Sequence, residues 1–205
     1  FWNYQFKEKK ALAQTFLKEK KWGSYVFLHE RPYRVYAFKE IGKHLSNKEY
    51  WELFSEIFND TENLHQWENE FLELLNCGRS EREAMMDAKE QEFLKSLPDV
   101  LTIYRGCRVH NKHGYSWSLS KNTARWFAAR SVGKFPIVRT GKCKKSDVIA
   151  FLGGRKEDEI IIMPKNVFGI SEERGKKGDC TIDRTPIASF DTNDICVPLP
   201  ISQVA

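Results

Sequence analysis

Between Lys48 and Leu97 the apolar residues Trp51, Phe54, Ile57 and Phe58, then Leu64, Trp67, Phe71, Leu72, Leu74 and Leu75, recur at three- and four-residue spacings. That period lays an apolar stripe along one face of a helix. Asn76-Cys77-Gly78 supplies a helix stop, and Ser80 followed by Glu83 has the capping-box spacing that opens a third helix toward Leu97-Pro98. Ahead of these, Lys7 to Lys21 fits a basic amphipathic helix. Tyr25-Val26-Phe27-Leu28 and Tyr33-Arg34-Val35-Tyr36-Ala37-Phe38 instead have the aromatic and β-branched texture of short strands.

From Pro98 the texture changes. Val100-Leu101-Thr102-Ile103-Tyr104-Arg105-Gly106, Phe135-Pro136-Ile137-Val138-Arg139 and Glu159-Ile160-Ile161-Ile162-Met163-Pro164 are β-rich runs. Ser120 is placed to cap a short helix from Lys121 to Arg130, with Ala124, Phe127 and Ala128 on its apolar side. A helical front before a mainly β back half predicts an α+β protein. Residues 1–97 form the helical part, either the front of the same domain or a regulatory cap, and residues 98–205 form a β-rich core with a C-terminal tail.

The 205 residues, 41% hydrophobic and 30% charged, suffice for one or two domains with real cores and exclude a disordered tail. The net charge of +5 hides three blocks. Residues 1–48 hold eleven Lys and Arg against four Asp and Glu (+7), residues 49–98 hold four against thirteen (−9), and residues 99–205 hold eighteen against eleven (+7). The acidic middle reads as the solvated outer face of helices, with a surface for a basic partner as the alternative. No apolar run approaches the roughly 18–20 residues of a membrane span, and the start, FWNYQFKEKK, places its basic residues after the aromatics, unlike a signal peptide. A targeting segment upstream of Phe1 would be invisible. Five cysteines, an odd number without a CxxC pair, argue against a disulfide framework or a cysteine zinc site, and a reducing cytoplasm is the simplest setting. His110 and His113 lack a third ligand in pattern, so no metal is expected. Gly153-Gly154 is not a phosphate loop, and Glu172 to Asp179 reads as an exposed turn whose basic residues suit a nucleic-acid backbone.

Three short pieces stand in order: Tyr104-Arg105-Gly106, Gly114-Tyr115-Ser116-Trp117-Ser118, and Glu157-Asp158-Glu159 running into Ile160-Ile161-Ile162. Together they resemble the Arg–Ser–Glu class of mono-ADP-ribosyltransferases, which share the fold of cholera toxin and the clostridial binary toxins. Ser116 to Leu119 followed by Ala124-Arg125-Trp126-Phe127-Ala128 is similar to that family's strand and following helix. Asp147 to Leu152, with Gly153 to Glu157 after it, is similar to its turn loop ahead of the catalytic Glu. The resemblance spans about residues 98–168. It implies a two-sheet core, NAD as substrate, and transfer of ADP-ribose to a macromolecule.

The chemistry agrees with these residue types. Cleaving the nicotinamide–ribose bond passes through an oxocarbenium-like state, and a fixed carboxylate stabilises that charge. Glu159 is the candidate. A guanidinium grips a diphosphate through two parallel charge-assisted bonds, which suits Arg105. By the resemblance, the backbone at Gly106 meets the nicotinamide amide beside Tyr104, Ser116 holds the Glu159 carboxylate, and Ser118 supports the strand or the cofactor. Phe127 is either an aromatic wall for nicotinamide or a core residue of its helix. Glu157, two residues before Glu159, shares its side if the segment is extended, and the resemblance gives it the acceptor, a protein arginine or a nucleic-acid base. The implied setting is a toxin, a toxin–antitoxin pair or an antiviral defence effector, restrained by an inhibitory partner. A non-catalytic binding module of the same fold and an NAD glycohydrolase are the competing classes.

Overall fold

The structure is a computed structural model describing residues 2–61, 64–130, 136–154 and 157–175. The chain divides into two units, Phe1–Met85 and Met86–Ala205. The first contains helices α1 (Trp2–Lys18), α2 (Trp22–Phe27), α3 (Arg34–Ile41), α4 (Asn47–Asp60) and α5 (Glu68–Leu75). The apolar stripe does what its period requires: α4 buries Tyr50, Trp51, Leu53, Phe54, Ile57 and Phe58, while Glu49, Glu52 and Glu56 face outward. Helix α5 stops at Asn76, and Gly78 follows at a left-handed φ of 73°.

Three local expectations fail. The segments at 25–28 and 33–38 are not strands, since they fall in or across α2 and α3. Val35, Phe38 and Ile41 recur at helical spacing and are buried, and the Phe38 ring lies 4.8 Å from Tyr50 and 5.9 Å from Phe54. Burial against α4 overrides the β preference of the aromatic and branched residues. Ser80 opens no helix either, because its Oγ accepts from Asn47 Nδ2 at 2.7 Å and Glu81 sits at φ 63°. A 3-10 turn, Arg82–Met85, intervenes, and the capping box that starts the next helix is Asp87 with Glu90.

That helix, α6 (Ala88–Ser96), belongs to the second unit, so the division falls ahead of the boundary drawn at 97/98. Its Phe93 packs 4.5 Å from Phe151, ring centre to ring centre, and Phe93 and Leu94 lie against the sheet core. The strands are β1 (Val100–Cys107), β2 (Ser116–Ser118), β3 (Ile137–Lys144), β4 (Val148–Leu152), β5 (Glu159–Ile162) and β6 (Phe168–Arg174), with helix α7 (Lys121–Ala129) between β2 and β3. They form one antiparallel sheet in the order β4-β5-β2-β1-β3-β6. The two-sheet arrangement therefore gives way to a single sheet among the described residues, because β1 pairs on both sides, Tyr104 with Ser118 and Tyr104 with Thr140.

Alternation sorts the two faces of this sheet. One face carries Leu101, Ile103, Trp117, Cys143, Phe151, Ile160 and Ile162 and is covered by α6. On the other, Tyr104 and Val138 meet Ala124 and Ala128 of α7. Ser120 caps α7, its Oγ accepting from the Thr123 N–H at 3.2 Å. Where the resemblance has a turn loop, Val148–Leu152 is a buried strand. Glu172 to Arg174, read as turn, form the end of an edge strand whose residues are all exposed and so lack an alternating signal. Phe135, Arg155, Lys156, the stretch Lys176 to Asp179 and the remaining tail, with Cys180 and Cys196, lie outside the described residues. Among the described residues no helix is long and apolar enough to cross a membrane.

Candidate active site

The Ser-Trp-Ser triplet is a three-residue strand, so its alternation buries Trp117 in the core and turns Ser116 and Ser118 to the opposite face. In register, Ser118 stands opposite Glu159 and Ser116 opposite Ile161. This makes Ser116 and Glu159 diagonal neighbours on one face, within reach across the ladder. Ser116 Oγ donates to Glu159 Oε1. Glu159 is only 4% exposed, so its carboxylate is kept from solvent and satisfied by charge-assisted bonding. Tyr104, opposite Ser118 on β1, completes a row of Tyr104, Ser118 and Glu159 across three strands.

Ser118 serves the chain itself. Its Oγ donates to the Glu157 carbonyl at 2.7 Å and accepts from the Ser120 N–H at 2.9 Å, while the Leu119 N–H donates to the Asp158 carbonyl at 2.9 Å. These bonds tie the entry of β5 to the exit of β2. Asp158 adopts a left-handed φ of 46°, so residues 157–159 are not extended. The two-residue alternation that was to align Glu157 with Glu159 is thereby broken. Burial pushes the Asp158 carboxyl above the usual range. Sequence reasoning overlooked Asp158, although Asp is among the few side chains that tolerate this backbone region.

Arg105 follows Tyr104 and so points to the other side of the sheet, the side of Trp117. Its Nη1 donates to the Ser116 carbonyl and its Nη2 to the Asn111 carbonyl at 2.9 Å. Arg139, its register partner on β3, donates to the Lys112 carbonyl and lies 5.9 Å from the centre of the Trp117 ring. Arg139 also forms an ion pair with Glu172 at 3.3 Å. Two guanidiniums thus brace the segment 111–116 that delivers Ser116. Gly114 belongs to this arrangement, because a Cβ there would lie 2.2 Å from Arg105 Nη2. Gly114 stands at the head of a motif piece and Arg139 in a β run, but the bracing roles of these two and of Asn111 are not legible in the sequence, since they depend on strand register.

Gly106 has a packing reason beside any ligand. A Cβ at this position would lie 1.8 Å from the Ala124 carbonyl oxygen and 2.6 Å from the Ala128 nitrogen, so α7 crosses β1 where no side chain intervenes. Ala124 and Ala128 fill that contact, which leaves Phe127 half-buried, edge-on to Trp126 at 5.0 Å. The fold therefore collects Tyr104, Ser116, Ser118 and Glu159 on one face, with α7 on the same face. It sets Arg105 behind them and Glu157 at the loop, held by its backbone. Among the described residues no group of His, Cys, Asp and Glu could hold a metal ion. No protein-family model, curated protein or solved structure matches the chain.

Proposed function

We propose that the second unit is an NAD-dependent mono-ADP-ribosyltransferase that acts on a macromolecule. The observation carrying this reading is the hydrogen bond from Ser116 to the buried Glu159 carboxylate, linking two motif residues that are far apart in sequence. In this reading Glu159 sits beside C1 of the nicotinamide ribose. The bond from C1 to nicotinamide breaks, the electron pair leaves with the nicotinamide nitrogen, and the carboxylate stabilises the positive charge developing on the sugar. The acceptor then forms its bond to C1 and loses a proton. Ser116 fixes the carboxylate, Ser118 fixes the loop carrying Glu157, and Arg105, turned to the other side of the sheet, braces the segment that delivers Ser116 instead of gripping the diphosphate. Tyr104, Gly106 and Phe127 line the nicotinamide end.

The implied setting is cytoplasmic, as a toxin or defence effector held by an inhibitory partner. The test is NAD consumption by the purified chain with cell lysate: Glu159→Gln abolishes both transfer and hydrolysis. Full activity of the Glu159 variant overturns the reading, and no NAD consumption by the parent protein assigns it to the non-catalytic class. The left-handed Asp158, which separates the two glutamates, favours NAD glycohydrolase activity as the second reading. Free ADP-ribose as the dominant product identifies it.

A further inference from the structure

Helix α7 turns Ala124 and Ala128 to the sheet, and its exposed residues include Asn122, Arg125 and Trp126, with Arg130 at its C-terminal end. No residue of the helix is acidic. Trp126 is 39% exposed, and the Arg130 guanidinium lies 4.5 Å from its ring centre and 5.8 Å from that of Phe127. The neighbouring acid is already matched: Glu173 accepts from Lys121 at 2.5 Å, and that bond, helped by Arg125, holds its carboxyl below the usual range. This leaves a flat indole among cations on the outer side of the helix that covers the sheet face carrying Tyr104, Ser118 and Glu159. Aromatic rings beside arginine planes grip unstacked bases while the charge attracts phosphates. The resemblance alone gives an arginine acceptor to a Glu157 aligned with Glu159, and the left-handed Asp158 breaks the alternation that would align them.

We infer that Arg125, Trp126 and Arg130 dock a single-stranded nucleic acid and that one of its bases is the acceptor. The inference rests on the transferase reading above. A base nitrogen forms the bond to C1 as the C1–nicotinamide bond breaks, nicotinamide leaves with that electron pair, and the base releases a proton to solvent. Binding is measured with the full chain and short fluorescent single strands of mixed sequence, as RNA and as DNA, beside the matching duplex. Trp126→Ala weakens single-strand binding between about fivefold and 150-fold, and Arg125→Ala lowers the slope of log affinity against log salt by about 0.7. The Arg125 variant alters only an exposed side chain and keeps the test open if the Trp126 variant misfolds. Binding unchanged in both variants, or a duplex bound as tightly as the single strand, overturns the docking surface. Label from NAD on an arginine peptide and none on the oligonucleotide overturns the acceptor. If no NAD is consumed, the transferase reading and the acceptor role fail, while loss of oligonucleotide binding in these variants still establishes the docking surface.

Discussion

Replacing Gly106 with alanine probes the contact that seats α7 on the sheet. The added Cβ falls 1.8 Å from the Ala124 carbonyl oxygen, 2.9 Å from its carbon and 2.6 Å from the Ala128 nitrogen, all of them backbone atoms. Real Cβ atoms essentially never come closer than 3.0 Å, and a helix backbone has no rotamer with which to yield. Helix α7 must therefore lift, separating Ala124 and Ala128 from Tyr104 and Val138. Forcing one extra carbon into a packed interior costs about 1–3 kcal/mol. Against this, Gly→Ala at a compatible site stabilises by about 0.4–1 kcal/mol through the unfolded chain. Gly154→Ala isolates that second effect, since a Cβ there meets nothing within 4 Å. Both variants are followed by thermal unfolding, where 1 kcal/mol moves the midpoint by roughly 2–4 °C in a chain of this length. Gly106→Ala lowers the midpoint and Gly154→Ala holds or slightly raises it. Equal midpoints for Gly106→Ala and the parent protein would refute the close approach of α7 to β1.

Ser116→Ala removes the hydroxyl donor to a buried carboxylate and costs about 1.5–3 kcal/mol in urea unfolding, whereas an unchanged midpoint removes the bond from the account. Asp158→Asn keeps a side chain that tolerates φ 46° and deletes a carboxylate that burial disfavours. Because the folded carboxyl titrates above its unfolded value, the penalty is absent in acid and grows as pH rises through the raised value, so the Asn variant gains stability over the parent protein at neutral pH and loses that gain in acid. Thermal midpoints across pH check it, and a constant difference rejects it. Ser46→Ala breaks the capping box of α4 and costs about 1 kcal/mol. The Ser46 side chain, then its backbone N–H, holds the Glu49 carboxyl below the usual range. That contribution is present above the ordinary carboxylate value and fades as pH falls through the depressed one, so the cost of the substitution shrinks in acid unfolding.

Much of this molecule was legible before any coordinates. The apolar period of residues 48–75, the cap at Ser120 and the β runs at 100–106 and 159–164 depend on local spacing; α4, α5, α7, β1 and β5 form there, with Leu64–Trp67 winding as a 3-10 turn and Met163-Pro164 falling past the strand. What local spacing misses is burial supplied from elsewhere. Residues 25–28 and 33–38 have strand-forming side chains, yet helices form where Val26, Val35 and Phe38 are buried. Strand β6 has no buried face, so nothing in its sequence announces it, and it exists because β3 offers an edge.

The candidate site divides in the same way. Ser116, Glu159 and Arg105 are identifiable from residue type and order, because the chemistry of a carboxylate, a hydroxyl and a guanidinium is intrinsic to them. Only the register of β2 on β5 makes Ser116 a partner of Glu159, and only the alternation of β1 turns Arg105 away from it toward Asn111 and the Ser116 carbonyl. One left-handed residue, Asp158, decides that Glu157 and Glu159 are not neighbours along an extended strand. Residue types thus set the available chemistry. Strand register and a single backbone dihedral, both products of long-range pairing, decide which side chains meet.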